Sequence, residues 1–293
     1  MKFTATIILL ILFAIPAGLS AQEDPDAGEP VVSKEETRLF RAQQKATALF
    51  FDANRAKITD NADKAILLFN ECVETNPAND AAWYELSILY YQQDAPDKSI
   101  SCARKAYDID PTNTWYSLSL ASLYANSNQP DEARKIYEQL SASDPMNPTY
   151  ALDLANTWIL LNKPQEAIRI YDALEDKTGI TEELSMRKHQ IYLATGKEKK
   201  ALDELEKLAE ANAYDSRILS LLAEFYMLQG MKEKALETYQ QILLIDPENP
   251  YINISLADFY RQQGDLKKAT AALRAGFANP FLDANTKIQI MMT

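Results

Sequence analysis

The chain of 293 residues has one histidine, two cysteines and seven glycines. A zinc site of the usual His and Cys kind needs several ligands close together, and His189 is remote in sequence from Cys72 and Cys102. There is no glycine-rich phosphate loop and no nucleophile elbow. Paired carboxylates occur at Glu182 and Glu183 and at Glu204 and Glu206, but in stretches that also carry lysine, the pattern of a solvated helix face. These absences leave no catalytic residue, no metal site and no cofactor to expect. An excess of positive charge is missing too. The net charge of −12 repels phosphate backbones, so nucleic acid is disfavoured as a ligand, and anionic membrane surfaces for the same reason.

Long apolar runs are absent except for one, Ile7 to Pro16, preceded by a single Lys and followed by Gly18, Ser20 and Ala21. Met1–Ala21 reads as a secretory signal peptide cut near Ser20 or Ala21, because the run is shorter than the roughly 20 residues that a membrane span needs. No cysteine lies near the cut, so a bacterial lipoprotein anchor is not encoded. The expected protein is exported, periplasmic or secreted, without direct membrane insertion after cleavage. Residues 22–34 are acidic, contain Pro25 and Pro30, and read as a flexible linker. Ser33 and Glu36 form a capping-box pattern, and Leu39, Ala42, Ala46, Leu49, Phe50 and Ala53 predict one long first helix. Its early turns are expected to cap the open end of a helical stack.

From there to the C-terminus the chain is periodic. The stretch Ser216 to Pro250 reads as two amphipathic helices meeting at Gly230. Steps of 34 residues from Ala235 land on Ala65, Ser99, Ala133, Ala167, Ala201 and Ala269, all small. The same step from Tyr239 gives Phe69, Ala103, Tyr137, Tyr171, Leu205 and Leu273, all apolar. From Gly230 it gives Asp60, Asp94, Asn128, Asn162, Gly196 and Gly264, the residue types that enter the left-handed region most readily, so a positive φ is predicted at this turn. Pro96, Pro130 and Pro164 suit the first turn of the second helix in their units. Pro77, Pro111, Pro145 and Pro247 close four of the seven units; Gly179, Ala213 and Phe281 depart from that column. A hairpin of this kind cannot hide its apolar face alone, so an all-α stack of seven hairpins is predicted over residues 35–282. A further helix is expected to start in residues 283–293, with Ile288, Ile290, Met291 and Met292 apolar. A solenoid is expected to finish on a polar face, so this apolar one suggests either a longer natural chain or docking on a partner.

With Trp83, Leu86, Ser87, Tyr90, Ser99, Ala103, Ala106 and Pro111 in this phase, the chain resembles the tetratricopeptide repeat (TPR) family over about residues 46–282. The resemblance implies a right-handed superhelix, an α-solenoid, with a concave groove that binds a protein or peptide segment. It does not imply a particular partner. One TPR subtype grips a C-terminal carboxylate with Lys, Arg and Asn. The matching positions here are Phe50, Asn54, Glu85, Trp115 and Ser119, and only the Asn fits, so that clamp is not carried over.

The helical period places Phe50, Asn54, Tyr84, Ile88, Tyr91 and Trp115 on the face of the first helices turned away from their partner helices. Leu118, Ser122, Leu152, Asn156, Met186 and Gln190 share that face, as do Arg217, Glu224, Met227, Tyr251, Asp258 and Arg261. Trp115, Tyr84 and Tyr91 together suggest an aromatic anchor patch, although apolar members of the set could instead pack between repeats. Two departures stand out. His189 falls in the column of Ala53, Ser87, Ala121, Ala155, Ala223 and Ala257, and Lys188 in that of Leu86, Leu120, Leu154, Leu222 and Leu256. Overpacking costs ~1–3 kcal/mol, so the fifth hairpin is expected to be loosened with His189 partly exposed, or to act as a hinge or partner contact. Cys72 and Cys102 occupy non-equivalent helical positions and are expected to be buried free thiols. The function expected is a non-enzymatic scaffold or adaptor in a periplasmic or cell-envelope assembly. The alternatives are a recognition arm of a longer enzyme with its catalytic part beyond Thr293, or a holdase for outer-membrane clients.

Overall fold

The computed structural model describes residues 33–291. It contains α1 (Lys34–Ile58), α2 (Ala62–Thr75), α3 (Asp80–Gln92), α4 (Pro96–Ile109), α5 (Thr114–Asn126), α6 (Pro130–Ser143), α7 (Pro148–Leu160) and α8 (Pro164–Thr178). Then come α9 (Glu182–Ala194), α10 (Glu198–Ala211), α11 (Ser216–Leu228), α12 (Lys232–Ile245), α13 (Pro250–Gln262), α14 (Leu266–Ala278) and α15 (Ala284–Met291). From α3 onward each first helix of a hairpin begins 34 residues after the last, and Ala284 keeps that count. The predicted all-α stack of seven hairpins, α1/α2 to α13/α14, is therefore present, and each helix packs on the next in sequence. Among the described residues there is no strand.

Local chemistry sets the hairpin. The first helices from α3 onward begin at an oxygen-bearing cap: Asn79, Asn113, Asn147, Thr181, Asp215 and Asn249 each accept a backbone N–H of the first turn. They end in a tight reversal in which Ala95, Gln129, Lys163, Lys197 and Met231 donate N–H bonds back to the carbonyls of Tyr90, Tyr124, Trp158, Tyr192 and Tyr226. That closure needs a left-handed residue just before it. Asp60, Asp94, Asn128 and Asn162 have φ of 55–58°, and Gly196, Gly230 and Gly264 lie at 68–79°. Pro96, Pro130 and Pro164 open α4, α6 and α8, where no helical N–H bond is lost.

Packing obeys the columns. Ala65, Ser99, Ala133, Ala167, Ala201 and Ala235 are wholly buried where helices approach most closely, opposite Ala53, Ser87, Ala121, Ala155 and Ala223. The column of Tyr90, Tyr124 and Tyr226 latches each repeat to the one before: Asn70 donates to the Tyr90 hydroxyl at 3.1 Å, Arg104 donates to that of Tyr124, and Tyr226 donates to Glu206 at 2.6 Å. Cys72 and Cys102 are free and buried.

One end and one layer differ from expectation. The capping box of Ser33 and Glu36 is formed, but the first three turns of α1 do not cover the stack. The end of α2 meets α1 where the Cys72 thiol donates to the Ala46 carbonyl, and beyond that point Leu39 and Phe40 are exposed. At the other end Leu282 is buried and Ile290 of α15 lines a cavity of about 420 Å³ with Ala257, Ala269 and Leu273 of the last hairpin. Ile290 is one repeat on from Leu256, so α15 starts the next layer in phase on this chain's own surface.

The fifth hairpin is not loosened. His189 is 7% exposed; its Nδ1 lies 2.8 Å from the Ala201 carbonyl, which can only accept, so that nitrogen carries the proton. The ring stands edge-on to Phe225 at 5.1 Å. Lys188 is 1% exposed, with its ammonium bonded to Glu175 and lying 3.0 Å from Glu204 and 3.1 Å from Asp172, while Lys207 approaches Glu175 at 2.8 Å. Burial opposes the charge on Lys188, but the hydrogen bonds it donates to Glu175, Glu204 and Asp172 outweigh it and hold its pKa above the ordinary lysine value. Burial likewise raises the Glu175 carboxyl, and its bonds to Lys188 and Lys207 outweigh that and leave it below the ordinary glutamate value. The misfit in the Leu column is thus compensated. Glu175 and Glu204 themselves stand in columns held elsewhere by Val73, Ala209 and Leu243, and by Ile136 and Ile170, and the three odd residues meet at one point.

Candidate functional site

The first helices present one continuous face to which the expected site residues all belong, but the structure divides them into two groups. Phe50, Tyr84, Leu118, Leu152, Met186 and Met227 are half-buried and pack into the stack, within or between hairpins. The Phe50 ring packs edge-on against Phe69 at 5.7 Å, and Tyr84 meets Tyr116 at 5.1 Å. Burial, then the neighbouring Glu85 charge, pushes the Tyr84 hydroxyl above its ordinary pKa. Met186 and Met227 pack against the core of the later repeats. Asn54 is half-buried and spends its amide on the Phe50 carbonyl at 2.9 Å.

The second group is accessible. Ile88, Tyr91 and Ser122 converge on a cleft of about 210 Å³ between α3 and α5, completed by Ser87, Ser119 and Asn126. Those last three residues were not in the expected set, although Ser87 and Ser119 are readable as small polar positions beside it. Trp115, 72% exposed, stands at the start of α5. Gln190, Glu224 and Tyr251 are exposed. Asn156 approaches Arg187 of α9 at 3.4 Å, Arg217 forks onto Glu182 at 2.5 and 2.7 Å, and Asp258 accepts from Arg261 at 2.6 Å.

Trp115, Tyr84 and Tyr91 do not form one patch. One repeat separates Tyr91 from Ala125, ten residues beyond Trp115 on α5, which is roughly 15 Å along a helix. Tyr84 pairs with Tyr116 instead. Charge also varies along the face. α5 carries no charged residue and α7 carries only Asp153, whereas α9, α11 and α13 carry both signs.

Among the described residues no cluster of three or more metal-ligating side chains occurs, and no helix is long and apolar enough to cross a membrane. The fold therefore offers a ladder of side chains on a rigid stack, with an uncharged stretch in its middle.

Sequence profiles described as tetratricopeptide repeat match residues 59–114, 100–152, 192–247 and 226–280. The chain belongs to the tetratricopeptide repeat family. Its α-solenoid is shared with solved structures of low sequence identity. A tetratricopeptide repeat protein from Parabacteroides merdae ATCC 43184 superposes with a TM-score of 0.50 at 13% identity, covering 85% of this chain and 100% of that one. The structure of Naa15/Naa10 bound to HypK-THB gives 0.55 at 17% identity, covering 80% of this TPR chain and 34% of that one. No curated protein matches the chain. At these identities the likeness is one of fold.

Proposed function

We propose that this TPR chain is an exported, non-enzymatic interaction scaffold that holds a segment of another protein against the first-helix face, within a periplasmic or cell-envelope assembly. The observation that carries the binding part is the division of that face: one set of side chains is consumed in sealing the stack, and a second set, led by Trp115 and the Ile88, Tyr91 and Ser122 cleft, remains accessible on rigid helices. Aromatic side chains fixed on a preorganised surface lose little conformational freedom on binding, which makes them effective anchors.

The exported location rests on Met1–Ala21, which lies outside the described residues. Its short apolar run and small residues near Ser20 and Ala21 are the pattern of a cleaved leader.

Two measurements test this. A photo-cross-linking side chain placed at Trp115 or Tyr91 in the source cell should capture defined protein partners, and one placed at exposed Lys135 of α6 should not. Equal capture from both positions refutes the use of this face. Cell fractionation with N-terminal sequencing of the endogenous protein should give a new N-terminus near Ser20 or Ala21; an intact Met1 refutes export by leader cleavage.

A further inference from the structure

The uncharged middle of the face contains one charge that no described residue answers. Asp153 of α7 lies one repeat before Arg187 and two after Glu85, so the three occupy the same place in successive or near-successive layers. Glu85 is met by Lys57 of α1 at 2.6 Å. Arg187 is met by Glu183 at 2.9 Å and by Asn156 of α7 at 3.4 Å. The residues of α5 that stand to Asp153 as Lys57 stands to Glu85, and as Asn156 stands to Arg187, are Ala125 and Ser122. Neither can supply a positive charge.

Asp153 is half-buried beside Tyr137, whose hydroxyl is kept from ionising first by burial and then by the Asp153 charge. Burial alone shifts the Asp153 carboxyl, upward from its ordinary value, with no cation to counter it. A charge held in this way is poorly solvated, and an incoming ammonium or guanidinium gains a charge-assisted hydrogen bond that water screens little. Around it the floor is neutral. α5 has no charged residue, and on α3 the Glu85 and Asp80 carboxylates are already engaged, Glu85 by Lys57 and Asp80 by the Tyr116 hydroxyl at 2.9 Å.

We propose, resting on the scaffold function above, that the face between α3 and α7 receives a polypeptide segment that sets one lysine or arginine on Asp153 and apolar side chains along Ile88 and Tyr91. The partner chemistry is a basic residue within an otherwise uncharged, apolar stretch. Acidic segments are rejected, since a second carboxylate would meet Asp153 with no counter-charge between them.

The experiment uses the full chain, immobilised, and a displayed library of random short peptides as the probe. Enriched peptides should share one basic position flanked by apolar residues. Their affinity should fall by about tenfold in Asp153→Asn, the loss of one charge-assisted bond, and Asp153→Lys should select acidic residues at that position instead. Asp153→Asn keeps the shape and removes a half-buried, uncompensated charge, so its melting temperature should equal or exceed the parent's, which separates a binding loss from a folding loss. Enrichment of peptides without a basic position, or an unchanged basic preference in Asp153→Asn, overturns the inference and leaves the scaffold reading intact. If no peptide is enriched by the parent chain, both fall.

Discussion

Replacing Lys188 by leucine restores the apolar column of Leu86, Leu120, Leu154, Leu222 and Leu256, yet it should destabilise the protein. The ammonium is the shared partner of Glu175 and Glu204, whose side chains are 7% and 13% exposed. Removing one member of a buried pair costs ~3–5 kcal/mol, here because Glu204 stays buried without a cation while Glu175 keeps only Lys207. Leucine recovers part of this through apolar burial, on the order of 1 kcal/mol, since the lysine stem was already out of water. The net loss is roughly 2–4 kcal/mol. The triple variant Lys188→Leu, Glu175→Leu, Glu204→Ile instead removes the whole network in favour of residues that other repeats use at these places. It should equal the parent or exceed it by ~1–4 kcal/mol. Urea unfolding monitored by far-UV circular dichroism gives the totals. Hydrogen exchange over residues 164–211 locates them, since a solenoid can open in segments. A single variant that loses less than about 1 kcal/mol, or a triple variant as unstable as the single, refutes the compensation argument.

The same network predicts a pH dependence. Glu175 has a folded pKa below its reference of 4.5, so its contribution is complete above that value and is lost as pH falls through the folded pKa. Lys188 has a folded pKa above its reference of 10.5, so its contribution is complete below that value and is lost as pH rises beyond it. Stability from this layer should therefore be flat across neutral pH, with acid loss starting below about pH 4.5 and absent from the triple variant. Trp115→Ala should change the unfolding free energy by less than ~0.5 kcal/mol, because the side chain is 72% exposed, while weakening partner capture; equal loss of both would place Trp115 in the core. Gly276→Ala should destabilise the last hairpin by ~1–3 kcal/mol, since the added Cβ would sit 3.0 Å from the Pro250 carbonyl and 3.2 Å from Ile254 Cγ1, and unchanged exchange in α13 and α14 would refute it. Gly230→Val should cost ~1–2 kcal/mol at φ 72°, read as a lower urea midpoint, and an unchanged midpoint would show that the turn relaxes.

The repeat was legible because its determinants are local. A turn that needs a left-handed residue admits few side chains, and Asp60, Asp94, Asn128, Asn162 and the three glycines show this without any knowledge of the fold. The contact columns were legible too, since helices that approach closely favour Ala or Ser, and His189 stands out as the exception. The site was legible as a face and not as a site. The period put Tyr84, Tyr91 and Trp115 on one side of their helices, but sidedness does not state axial offset or which of them seals a seam. The departure at Lys188 was visible but looked like a defect, and Glu204 looked like part of a solvated face. Glu175 was not singled out.

What the order of residues determined alone is the unit, its count and its turns, because hydrogen bonding, φ preference and helical period act between neighbours along the chain. Only the tertiary structure decided that three charges in three apolar columns share one buried point, and that Asp153 is half-buried without a cation against it among the described residues. Such meetings depend on how α8, α9 and α10, or α5 and α7, lie across one another. Electrostatic pairing acts through space at a few ångströms, and sequence distance carries no record of it.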